Sequence, residues 1–187
     1  MCFGGLSTRP EKISENVIGA AVGDGANYYI TTRGDLFVKG KAHRGQYGDG
    51  RLQSTEHFIR TMTGVAQITV HTGRAILRKK NGDVLGTGGN IYGPVGHHGL
   101  GDKADKWSLI TKGARAIATG SSHSLAIRQD GMLIAWGSEY GPEPVPVMAG
   151  VTGVAAGSRT TIAIKSDGTL WQWARGKTPR KLVLEKN

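Results

Sequence analysis

Residues 114–137 read ARAIATGSSHSLAIRQDGMLIAWG and residues 151–174 read VTGVAAGSRTTIAIKSDGTLWQWA, and the two segments superimpose position by position. Each holds an apolar strand that ends in small residues and glycine, a second apolar strand, an Asp-Gly pair, and a third strand carrying Trp. The same frame fits residues 65–88 around Asn81-Gly82, and residues 17–40 around Arg33-Gly34, both more worn. Gly34, Gly82, Gly131 and Gly168 therefore mark one recurring bend, at intervals of 48, 49 and 37 residues. The last interval is short because the loop after Gly137 is trimmed. Self-similarity at such a period is the signature of a repeat architecture.

Asn-Gly and Asp-Gly between apolar strands predict two-residue hairpin turns, in which both central residues take positive φ. Arg33 fits that geometry poorly. Segments such as Ser124-Leu125-Ala126-Ile127 and Thr161-Ile162-Ala163-Ile164 are almost continuously apolar, as expected of strands covered on both faces by neighbouring sheets. A longer connection and a fourth short strand follow each hairpin, near 57–60, 108–110, 145–147 and 181–184. The expected fold is all-β, with four antiparallel four-stranded units of the propeller-blade kind. They form one domain over 1–187, with an N-terminal segment 1–16 and repeats at about 17–64, 65–113, 114–150 and 151–187. Four units leave apolar faces open at both ends. A partial ring, or a ring completed by a second copy, is expected in preference to tight closure of four blades.

Composition narrows the class. Of 187 residues, 38% are hydrophobic and thirty are glycine, about twice the ordinary share, without a collagen-like period. Twenty-four Lys and Arg against fourteen Asp and Glu give a net charge of +10, which favours an acidic partner. The single cysteine, Cys2, cannot form an internal disulfide, and residues 1–16 lack the apolar core of a secretory signal. A cytoplasmic protein without a membrane anchor is expected.

The repeat resembles that of the regulator of chromosome condensation family. The residues that carry the resemblance are Ala118-Thr119-Gly120, His123-Ser124, Asp130-Gly131 and Trp136-Gly137, with loop signatures at Gly45-Gln46-Tyr47-Gly48-Asp49-Gly50 and His97-His98-Gly99-Leu100-Gly101-Asp102. It spans about residues 17–184 and is strongest in the last two repeats. Lys39 and Thr87 stand where the later repeats place Trp136 and Trp173, and Val70-His71 replaces the Ala-Gly end in the second. Propellers of this family usually have seven blades. The resemblance implies an interaction scaffold, among whose relatives are exchange factors for small GTPases, chromatin binders, and enzyme inhibitors such as a bacterial β-lactamase inhibitor of similar repeat design.

No catalytic set emerges. His123-Ser124 lacks a marked carboxylate for a triad, and His97-His98 with Asp102 lacks the cysteine support of a metal site. The glycine-rich stretches 86–89 and 96–101 lack the Lys-Ser/Thr of a phosphate loop. No cofactor is expected. Interfaces draw their strongest anchors from Trp, Tyr and Arg, so the candidate partner-binding residues are Arg44 and Tyr47 in the first long loop, Tyr92, His97 and His98 in the second, Trp107 after it, and Glu139 and Tyr140 in the third. Tyr47 and Tyr92 have an alternative reading as packing between blades, whereas Trp136 and Trp173 read as core. The expected function is a non-enzymatic protein-binding module, an inhibitor or immunity protein that blocks a partner enzyme or toxin. Nucleic-acid or chromatin association through Arg78-Lys79-Lys80 and residues 177–186, and guanine-nucleotide exchange on a small GTPase, are the alternatives.

Overall fold

Four hairpins organise the chain, and their turns differ from the expected type. In each, the glycine amide bonds the carbonyl three residues earlier: Gly34 to Thr31 at 2.8 Å, Gly82 to Lys79 at 3.0 Å, Gly131 to Arg128 at 3.0 Å and Gly168 to Lys165 at 2.9 Å. All four glycines have positive φ, between 79° and 94°, while Arg33, Asn81, Asp130 and Asp167 do not. This is the three-residue loop, an ordinary turn closed by a left-handed glycine, rather than the two-residue turn. Arg33 therefore sits without strain. Asn81, Asp130 and Asp167 earn their place differently, since each side-chain Oδ1 accepts an amide two residues on, at 2.9–3.1 Å.

The computed structural model describes residues 10, 12–23, 25–71, 73–91, 93, 95–96, 101–174 and 176–183. Blade 1 comprises β1 (Val17–Gly23), β2 (Ala26–Thr31), β3 (Leu36–Gly40) and β4 (Thr55–Met62). Blade 2 comprises β5 (Val65–His71), β6 (Arg74–Lys79), β7 (Val84–Gly89) and β8 (Lys103–Thr111). Blade 3 comprises β9 (Ala114–Thr119), β10 (His123–Arg128), β11 (Leu133–Gly137) and, after a 3-10 turn at Ser138–Tyr140, β12 (Gly141–Met148). Blade 4 comprises β13 (Val151–Ala156), β14 (Thr160–Lys165), β15 (Leu170–Ala174) and β16 (Arg180–Lys181). Every sheet is an antiparallel meander with its strands in chain order. The last strand is shorter and earlier than the 181–184 read from sequence, and Leu184 lies outside the described residues.

Successive blades are joined in two ways. Their apolar faces interlock: Tyr28, Ile30, Leu36 and Val38 meet Val65, Ala75 and Leu77 between blades 1 and 2. Ile76 and Val84 meet Ile117, Ile134 and Trp136 in the second junction. Leu125, Ile127 and Leu133 meet Val151, Ala163 and Trp173 in the third. The hairpin glycines also bind the next blade, because Val65, Ala114 and Val151 donate their amides to Gly34, Gly82 and Gly131 at 2.9–3.0 Å.

Strands β1, β5, β9 and β13 stand side by side in that order, while among the described residues no comparable packing brings β13 back to β1. The array is an open arc. Blade 4 shows it directly: Thr161 and Ala163 are buried, yet Ile162 and Ile164 on the other face of β14 are 40% and 48% exposed. Blade 1 opens at the opposite end with an aromatic face, where Tyr29 stacks on Phe37 at 4.9 Å and meets Phe58 edge-on at 4.8 Å. The expectation of strands covered on both faces holds for blades 2 and 3 only.

Candidate functional site: the rim of the arc

Antiparallel order places the hairpin glycines at one end of the arc. At the other end emerge the turns after the first strand of each blade and the long loops after the third. This second end is the rim. Its first loop, residues 41–54, is held from within. Gln46 and Tyr47 are buried, Tyr28 donates its hydroxyl hydrogen bond to the Gln46 carbonyl at 2.9 Å, and the Gln46 side chain accepts the Arg44 amide at 2.8 Å. Tyr47 donates to the Gly40 carbonyl and accepts the Thr55 amide at 3.1 Å. Burial pushes the hydroxyl pKa values of both tyrosines upward.

Tyr47 is thus fully buried and builds the loop instead of projecting from it, which corrects its reading as a partner contact. Trp107 is half-buried, with its indole lying flat over Gly48, where an added Cβ would come within 2.4 Å of Nε1. Tyr140 is half-buried and accepts the Trp173 indole hydrogen bond at 2.7 Å. Arg44 and Glu139 are exposed. Tyr92, His97 and His98 lie outside the described residues.

The His-Ser pair is structural. His123 is buried and its Nε2 lies 2.9 Å from Thr161 Oγ1 in blade 4, while Ser124 Oγ lies 3.1 Å from Thr119 Oγ1. The worn positions compensate locally. Thr87 is buried with its hydroxyl 2.7 Å from the Gly45 carbonyl, and Lys39 places its ammonium 4.9 Å from the Phe58 ring. Among the described residues no three His, Cys, Asp or Glu gather as a metal site, and no helix is long and apolar enough to cross a membrane.

The rim does contain a cavity of about 430 Å³ where blades 1, 2 and 3 meet, lined by Arg44, Arg74, Ile91, Asp102, Lys103 and Ser121. Arg74 is not among the residues expected from sequence, although a signal is present: it occupies in blade 2 the position His123 occupies in blade 3, first in the second strand. Burial pushes its guanidinium pKa down to about 10. His71 and His123 are both held below the ordinary histidine value, first by burial and then in part by Arg74, although Glu139 opposes the shift at His123.

Four consecutive four-stranded meanders joined through their faces define this chain as an arc of a β-propeller. The regulator of chromosome condensation (RCC1) repeat matches residues 114–140. The human E3 ubiquitin-protein ligase HERC2 is 34% identical over 138 residues, covering 67% of this chain and 3% of that protein. A secretion-regulating guanine nucleotide exchange factor of Bos taurus is 30% identical over 123 residues, covering 62% of this chain and 26% of that protein. Among solved structures, Prp20p of Saccharomyces cerevisiae superposes with a TM-score of 0.78 at 19% identity, over 93% of this chain and 52% of Prp20p. The chain belongs to the regulator of chromosome condensation repeat family and spans a small part of the curated relatives it matches.

Proposed function

We propose that the chain is a non-enzymatic protein-binding module that seats an acidic partner on its rim, over the junctions of blades 1 to 3. The observation that carries this reading is the rim cavity, where Arg44, Arg74 and Lys103 face a single carboxylate, Asp102, beside Ile91, which is 56% exposed. A basic ring around an apolar anchor suits an acidic protein surface, with charge steering the encounter and the apolar residue supplying contact. Prp20p, whose binding to Gsp1p and histones has been described, shows the fold in a protein-binding role. An inhibitor or immunity protein, acting by covering a partner's working surface, is the form of this function that needs least beyond a rigid rim.

The test is capture of a partner by the whole chain, compared across charge reversals at the two ends. Arg44→Glu with Lys103→Glu should abolish capture, while Lys79→Glu with Lys80→Glu at the hairpin end should leave it intact. Equal capture by both variants rejects the rim. A second reading, nucleotide exchange on a small GTPase, is favoured by the bovine relative. It requires that the captured partner release bound guanine nucleotide faster in the presence of the chain. Association with nucleic acid, the remaining alternative, would instead involve the exposed basic hairpin end and weaken steeply with salt. We further infer that the open faces of blades 1 and 4 are covered by a second copy, the aromatic face of one chain meeting the aliphatic face of the other as in the internal junctions.

A further inference from the structure

Arg74 is electrostatically incomplete. It is only 5% exposed, and among the described residues its guanidinium makes one hydrogen bond, from Nη2 to the Gly120 carbonyl of the next blade. Its Nε is buried without a partner, and no carboxylate forms an ion pair with it among the described residues. A buried charge left without a counter-charge is strongly unfavourable, so such a group is ordinarily paired. Here it opens onto the rim cavity, together with two more cations from neighbouring segments, Arg44 and Lys103.

We propose that this cavity is a subsite for a phosphate group. Three cationic side chains against the one carboxylate of Asp102 suit a dianion better than a monoanionic carboxylate, and guanidinium groups match phosphate oxygens geometrically. The Ser121 hydroxyl, which already donates to Ser158 Oγ at 2.9 Å and lies 3.4 Å from His71 Nε2, stands at the cavity edge. A volume of about 430 Å³ exceeds a bare phosphate and leaves room for the molecule that carries it. The inference goes beyond the docking reading. It shares Arg44 and Lys103 with that rim, but its readout needs no protein partner, so either can fail alone.

The experiment is an NMR titration of the whole chain with inorganic phosphate, O-phosphoserine and acetate at matched ionic strength, following the His71 and His123 imidazoles. Both phosphates should give saturable shifts, with the apparent imidazole pKa values rising as the bound anion offsets the Arg74 field. Tighter O-phosphoserine binding assigns a monoester, and equal binding assigns free phosphate. Arg74→Gln risks the fold through the lost Gly120 contact, so the exposed residues carry the test. Arg44→Ala and Lys103→Ala should each weaken binding about tenfold, with an unchanged circular dichroism spectrum, while Lys79→Ala with Lys80→Ala binds as wild type. Shifts that never saturate, rim variants that bind as wild type, or acetate that reproduces the response would overturn the proposal.

Discussion

The indole of Trp173 in blade 4 donates a hydrogen bond of 2.7 Å to the hydroxyl of Tyr140 in the loop of blade 3. The bond ties a core residue of one sheet to a rim residue of another, and Trp173 is only 4% exposed. Tyr140→Phe removes the acceptor and leaves the indole N–H unsatisfied. The expected loss is about 1–3 kcal/mol, read as a lower urea midpoint with an unchanged slope. An unaltered midpoint would show that the tie carries no stability.

Glycine positions in the blades are not equivalent. Gly40 has φ of +105°, and a Cβ there would lie 2.0 Å from the Gly25 carbonyl oxygen, whereas Gly168 has φ of +79° and nothing within 4 Å. Gly40→Ala combines a left-handed backbone with a backbone clash and should cost upward of about 3 kcal/mol. Gly168→Asn should cost about 1 kcal/mol or less, since Asn tolerates that conformation and the site is open. Denaturation midpoints of the two variants measure the contrast, and comparable losses would contradict it.

This difference shows how far the amino-acid order alone could be read. The recurrence of Gly34, Gly82, Gly131 and Gly168 located four sheets, because a turn glycine is a local requirement visible in any one repeat. Turn length is not legible, since Asp-Gly pairs serve both two-residue and three-residue hairpins. Tyr47 was legible as a loop aromatic, but its burial depends on Gly40 and Thr55, which only the folded loop brings to its hydroxyl. Arg74 escaped notice for a related reason. Its meaning arises from the Gly120 carbonyl of another blade and from the lack of an ion-paired carboxylate among the described residues.

His71 and His123 make stability depend on pH. Both are held below the ordinary value of 6.5, largely by burial. Above that value folded and unfolded chains are alike neutral at these sites. As pH falls below it, the unfolded chain takes up protons that the native state resists, so stability declines with acidification through that window and levels off below the native values. Urea midpoints should fall from pH 7.5 to pH 5.5, and less steeply in His123→Gln. An identical slope in that variant would remove His123 from the account.

The open faces predict self-association. Light scattering should give a mass above the 19.8 kDa chain that rises with concentration, and Ile162→Lys with Ile164→Lys should return it to the single-chain value. A single-chain mass for the unmodified protein at high concentration would refute the second-copy inference.

The carbonyls of Gly34, Gly82 and Gly131 each hold the first residue of the following sheet, but among the described residues nothing comparable fastens the last sheet to the first. Loss of order can therefore proceed like a zip, starting from either extremity, without breaking every joint at once. Amide exchange should accordingly be slowest in the middle sheets, around Ile76 and Leu125, and fastest along β1 and β14, so that the surface between blades 2 and 3 persists while the outer sheets come and go.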